Sequence, residues 1–302
     1  MYLLAYSLGE YMKKIVFLSF LLCFSGFVTS AEPQAVKSVR QFTFNHSLWE
    51  HSAEKNATVG YWLGEFAKAS KTKYAWNGQF GQMDYTALPP SAQLGSLNSK
   101  DIWVPESASF GKLKIDNIVI MPPNFVQYES GAKEIKEAQR VIDYVAKEQP
   151  GVINYIYEHW PEAVADQLSD GQWAEFKQQT NGKYHKWFIN YQDQLIKSRP
   201  DIDIRMIPVG PIITDILNNK SLQASNYKWV DLYEDNSPHG TDDLYFLASI
   251  ATYQAMYGQK VSGSYKVPSS ISDLIGKDFV ALNEFVWQRL SHYNGDGVRV
   301  WP

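Results

Sequence analysis

Apolar positions occur in two alternating spacings along the chain. Short runs with few polar interruptions predict strands over Val39–Phe44, Lys73–Trp76, Ile115–Met121, Val152–Tyr157 and Asp203–Val209. Between them, apolar residues recur every three or four positions, as in a helix with one buried face. That spacing predicts a helix over Val59–Ala69, where Val59, Trp62, Leu63, Phe66 and Ala67 share a side. Further helices are expected over Lys133–Lys147, about Trp173–Lys197 and Pro211–Leu217. Leu244, Leu247, Ala248, Ala251 and Ala255 predict another that ends at Gly258, and a last one covers about Ile271–His292. Strands alternating with helices imply βαβ units and a parallel sheet covered on both faces. The expected fold is therefore α/β: a flavodoxin-like three-layer α/β/α sandwich with a mostly parallel sheet of about five strands.

The first 31 residues stand outside this alternation. Met12-Lys13-Lys14 is a short basic segment, Ile15–Val28 is apolar, and Thr29-Ser30-Ala31 offers the small residues of a cleavage site. The pattern is that of an export signal over residues 1–31, with translation starting at Met1 or at Met12. Residues 32–302 are then expected to form one domain with a C-terminal helix, periplasmic or secreted, with no membrane span after cleavage. Cys23 is the one cysteine and would leave with the signal, so disulfides and thiolate sites are not expected. The formal net charge is −4 and no basic run is present, which argues against nucleic acid as a partner. His46, His51 and His159 lack a metal-binding spacing, and neither a metal nor another cofactor is expected. Aromatic residues are abundant, with 10 Trp and 19 Tyr. Such rings stack on sugar faces, so they point towards carbohydrate, although they also fill cores.

In an open parallel sheet, ligands gather at the carboxyl ends of the strands. Ser47 follows the first predicted strand, Gly78 and Gly81 the second, Asn124 the third, and Glu158-His159-Trp160 the fourth. His239 stands in a loop before a helix, with Asp235 and Glu234 four and five positions upstream. A serine so placed is a nucleophile if a base reaches it. Ser47-Leu48-Trp49-Glu50 also fits a capping box, in which the serine only starts a helix. Gly78 and Gly81 could turn a backbone N–H towards an oxyanion, or simply form a turn. Asn124 could add its amide, or satisfy its own backbone. Glu158, His159 and Trp160 are candidates for substrate contact, with Trp160 as a sugar platform, or for packing at the rim.

The order of these pieces resembles the SGNH/GDSL hydrolase superfamily, whose blocks are a serine in a G-D-S-L-like turn, a glycine, an asparagine and a D-x-x-H. Here Asn45-His46-Ser47-Leu48, Asn77-Gly78-Gln79-Phe80-Gly81, Pro122-Pro123-Asn124-Phe125 and Asp235-Asn236-Ser237-Pro238-His239 stand in those places. The first block departs at both residues before the serine, and the third keeps only its asparagine. In the fourth, Asn236 lies three before His239 and Asp235 four before. The resemblance implies an exported esterase needing no cofactor. Ser47 would be the nucleophile, His239 the base and Asp235 its partner, with Ser47 N–H, a glycine N–H and Asn124 holding the oxyanion. With the aromatics, it suggests an O-acyl group, acetyl above all, on a polysaccharide, with other esters open. The altered blocks motivate an alternative: a catalytically degenerate SGNH-like protein that binds carbohydrate or serves polysaccharide assembly. Glycoside hydrolysis through Glu158 would need a second carboxylate that the sequence does not locate.

Overall fold

The computed structural model describes residues 33–51, 58–81, 88–90, 109–123 and 131–302. Its strands are β1 (Ser38–Asn45), β2 (Lys73–Phe80), β3 (Asn117–Ile120), β4 (Ile153–Glu158) and β5 (Ile204–Pro208). All pair in parallel, in the order β2-β1-β3-β4-β5. That is the flavodoxin-like order, whose direction of winding reverses between β1 and β3. The helices are α1 (Val59–Ala69), α2 (Ala132–Glu148), α3 (Asp170–Gln179), α4 (His185–Ser198), α5 (Val209–Asn218), α6 (Trp229–Leu232), α7 (Asp242–Tyr257), α8 (Asp273–Gly276) and α9 (Phe279–Gly295). α1, α5 and α9 group around α7, which packs on β1 and β5, while α2 packs with α4, which touches β4 and β5.

Burial explains the composition of these elements. All four residues of β3 are buried, as are the last five of β1, so central strands read as continuous apolar runs. α7 is buried on every side from Asp243 to Tyr257. It is enclosed by the sheet, α1, α5 and α9, and a helix in that position needs no polar stripe.

The structure extends or divides some predicted elements. β2 continues past Trp76 to Phe80, because pairing with β1 persists and sets Thr43 beside Gly78. A Cβ on Gly78 would overlap the Thr43 hydroxyl, so glycine lets the two strands run on side by side. The long helix expected over Trp173–Lys197 is two, α3 and α4, joined by a π-helical turn at Thr180–Tyr184. The last helix also divides, into α8 and α9. Ser47 caps no helix: residues 47–49 form a turn, and α1 begins only at Val59. Among the described residues, no helix is long and apolar enough to cross a membrane.

Candidate active site

Ser47 lies in the turn that ends β1, and its neighbours fix that turn. Trp49 N–H donates to His46 O at 2.9 Å, and Leu48 and Trp49 are anchored in the core. From α7, the buried Tyr245 donates its hydroxyl to Ser47 O at 2.6 Å. The backbone is held on both sides while the serine itself stays half-buried.

His239 reaches this serine from the loop between α6 and α7. The loop is closed like a small hairpin, by Glu234 N–H to His239 O and Thr241 N–H to Leu232 O, both at 2.9 Å. Inside it, Asp235 Oδ1 accepts from Ser237 N–H at 2.9 Å and from His239 N–H at 3.0 Å. Asp235 Oδ2 is then left facing His239 Nδ1 at 2.6 Å, while His239 Nε2 lies 2.9 Å from Ser47 Oγ. The three side chains form an unbroken chain of hydrogen bonds. Burial works against the Asp235 carboxylate, but the hydrogen bonds from His239 and Ser237 outweigh it and hold the carboxyl below its usual range. Asn236 is exposed and is engaged through its backbone, donating to Asp166 Oδ1 at 3.1 Å and accepting from Ala163 N–H at 3.0 Å.

The other predicted residues fare differently. Trp160 is only 1 % exposed and donates its indole N–H to Pro238 O at 2.9 Å. It offers no face to a sugar and instead braces the His239 loop. Glu158 and His159 are wholly buried, so neither faces a substrate. Glu158 meets His185 Nδ1 at 2.8 Å from one oxygen and 3.0 Å from the other. Burial pushes the Glu158 carboxyl up; burial opposes a charge on His185, but Glu158 outweighs this and holds the imidazole up.

Gly78 lies within β2 with its N–H directed to Asn77 Oδ1 at 2.7 Å. Gly81 has φ +148°, in the region that favours glycine, and its N–H donates to Asn45 O at 3.1 Å. Both glycine N–H groups are thus engaged, and neither is turned to an acyl oxygen in this arrangement. Asn124 lies outside the described residues. Two residues earlier, Pro122 O accepts from two buried imidazoles, His46 Nε2 at 3.1 Å and His159 Nε2 at 2.6 Å. Leu48 N–H donates to His46 Nδ1 at 3.3 Å, and the Tyr184 hydroxyl lies 2.8 Å from His159 Nδ1. For His46 these contacts suit the neutral Nε2–H form, whereas His159 Nδ1 also lies 3.1 Å from Trp160 O. His46 ties the segment after β3 to the Ser47 turn, and His159 ties it to the end of β4.

Among the described residues, the tryptophans serve packing and give no support to a carbohydrate platform. Trp49, Trp62, Trp76, Trp160, Trp173, Trp229 and Trp301 are core residues, and Trp187 and Trp287 pack against the core. Sequence reasoning also missed Tyr245, and it weighed His51 only as a metal ligand. The His51 ring is stacked on His239, with centroids 3.8 Å apart. The one available signal was its place four residues after Ser47.

No protein-family model matches the chain, and no curated protein matches it. Among solved structures, a DUF4886 family protein from Bacteroides uniformis is 12% identical, with a TM-score of 0.54 over 84% of this chain and 95% of that one. A protein provisionally classed as an SGNH hydrolase, from Slackia heliotrinireducens, is 12% identical with a TM-score of 0.42, covering 72% of this chain and 99% of that one. A family 3 carbohydrate esterase from Clostridium thermocellum is 13% identical with a TM-score of 0.42, covering 72% of this chain and 94% of that one. Similarity at this level is one of fold. The chain has the three-layer α/β architecture that the resemblance to SGNH hydrolases implies.

Proposed function

We propose that the protein is a serine hydrolase that cleaves carboxylic esters. The observation that carries this reading is the hydrogen-bond chain from Asp235 Oδ2 to His239, at 2.6 Å, and from His239 Nε2 to Ser47 Oγ, at 2.9 Å. Nucleophile, base and orienting acid stand in the relation that acyl transfer needs. Ser47 Oγ attacks the ester carbonyl carbon while its proton passes to His239 Nε2. The tetrahedral oxyanion falls to Ser47 N–H, with the Asn124 amide assigned by the resemblance to SGNH hydrolases alone. The intermediate collapses with loss of the alcohol, which takes the proton from His239 and leaves an acyl group on Ser47. Water, deprotonated by His239, then attacks that acyl group, and the same proton returns to Ser47 Oγ as the acid departs.

The favoured substrate is a small O-acyl ester, acetyl above all, on a carbohydrate. The resemblance to SGNH hydrolases supports this choice, as does the signal-like segment, which would deliver the protein to surface polysaccharides. Automated sequencing of the N-terminus of the periplasmic or secreted form tests export. A non-catalytic binding role drew its support from the altered first and fourth blocks, and Asp235's contact with His239 weakens the part that rests on the fourth.

The test is hydrolysis of p-nitrophenyl acetate and of an acetylated polysaccharide by the wild-type chain, Ser47→Ala and His239→Ala. Each variant is expected to lose about 10³-fold or more in kcat. Full activity in Ser47→Ala would refute the mechanism.

A further inference from the structure

His51 takes no part in the hydrogen-bond chain, yet its ring lies flat against that of His239. The centroids are 3.8 Å apart and the planes are within 14° of parallel. His51 Nε2 is 3.2 Å from Glu234 Oε2. Glu234 belongs to the loop that carries the base, since its own N–H donates to His239 O at 2.9 Å. Two imidazole–carboxylate pairs therefore lie face to face, Asp235 with His239 and Glu234 with His51.

Two stacked imidazoles resist carrying two positive charges at once. Burial lowers the His51 pKa, as does the charge of His239, while Glu234 and Asp235 oppose the shift. His51 is thereby kept neutral while His239 changes charge. A neutral His51 donates Nε2–H to Glu234, which directs electron density into the ring. An aromatic face over a cation is attractive, and more so away from bulk water. The proposed reaction makes His239 a cation twice in each turnover.

We infer that His51 is a positioning residue for His239: a neutral ring, oriented by Glu234, that supports the imidazolium formed when Ser47 gives up its proton. The inference rests on the hydrolase reading above. It assigns Glu234 an indirect role, through His51, distinct from that of Asp235. The partly exposed His51 side chain, 26% accessible, suits substitution without loss of the core.

The test compares His51→Phe, His51→Leu and His51→Arg with the wild-type chain. The readouts are kcat and KM on p-nitrophenyl acetate, the rate of Ser47 labelling by a fluorophosphonate, and thermal melting. His51→Leu is expected to lower kcat by about 5- to 20-fold with KM unchanged, and His51→Phe to stay within about twofold of wild type. His51→Arg keeps a planar group near Glu234 but sets a fixed cation over the imidazolium, and is expected to be slower than His51→Leu. Labelling rates should follow the same order. Equal rates in the Leu and Phe variants would make His51 a space-filler and overturn the inference, as would an Arg variant as fast as the Phe variant. If the Leu variant does not fold, Glu234→Gln replaces it, with an expected two- to fivefold loss of kcat; an unchanged kcat overturns the inference. A wild-type chain that neither labels nor hydrolyses any ester removes the hydrolase reading and this inference together. A wild-type chain that labels no faster than all the variants removes only the role of His51.

Discussion

The carboxylate of Asp235 uses both oxygens to hold His239. Oδ1 gathers the N–H groups of Ser237 and His239, and Oδ2 meets the ring. The first two contacts wind the Asp235–His239 segment into a tight turn, which brings an acid four positions away into the place of one three away. Asp235→Asn keeps that turn but offers Nδ1–H a poorer partner, favours the wrong tautomer and leaves the imidazolium unbalanced. It is expected to lower kcat by about 10³- to 10⁴-fold, whereas Asn236→Ala stays within a fewfold of wild type in the same esterase assay. A loss confined to the Asn236 variant would transfer the orienting role to that residue. The meeting of Ser47, Asp235 and His239 was legible in sequence because few residue types suit the proposed chemistry and all three stand in loops. Trp160, Glu158 and His159 misled because sequence position places a residue at a strand end without saying which way its side chain turns. Glu158 turns to His185, 27 residues away, a partner that only the packing of α4 against β4 supplies.

At the scale of elements, the His239 loop is supported from several sides. Trp160 braces it at Pro238, the segment after β4 braces it at Asn236, and the start of α7 closes it through Thr241. Its geometry thus depends on the end of β4 although no residue there faces the substrate. Trp160→Phe keeps most of the ring but leaves Pro238 O without its donor. The expected result is a fall in Tm of about 2–8 °C and a kcat loss of roughly tenfold with KM little changed. An unaltered kcat at a lowered Tm would restrict Trp160 to stability. The elements themselves were mostly legible, with α1 matching over all 11 residues, because burial on one face imposes its period on the sequence. What was not legible had weak local causes. Gly78 looked like a turn, but its absent Cβ admits Thr43 from the neighbouring strand. The π turn at Thr180–Tyr184 left the helical spacing almost unbroken across α3 and α4.

Buried titratable groups give the whole molecule a definite response to pH. Burial raises the Glu50 carboxyl to about 8, so the folded chain holds a proton that the unfolded chain releases above about 4.5. Glu50 therefore costs stability as pH rises from 4.5 to 8. Burial, with the neighbouring histidines, lowers His46 to about 3 despite its bond to Pro122, and burial lowers His159 to about 4. Below about pH 6.5 the unfolded chain takes up two protons that these folded imidazoles refuse, so stability is lost as pH falls towards 4. Burial raises the Glu158 carboxyl, and against its own burial His185 is raised by Glu158, so this pair also holds protons more tightly in the fold than in the unfolded chain. Between pH 6.5 and 4.5 Glu50 offsets one of the protons refused by His46 and His159, while the lowered His51 adds to the acid-side loss and the raised Glu158 opposes it. Imidazoles lowered by burial are expected to make Tm fall as pH drops below about 6.5. Glu50→Gln removes its offset and part of the alkaline decline. Its Tm should exceed that of the wild-type chain at pH 8, lose that advantage by pH 4.5, and fall more steeply between pH 6.5 and 4.5. Melting curves from pH 4.5 to 9 for both chains decide the matter: a Tm difference independent of pH would mean that Glu50 is charged in the fold.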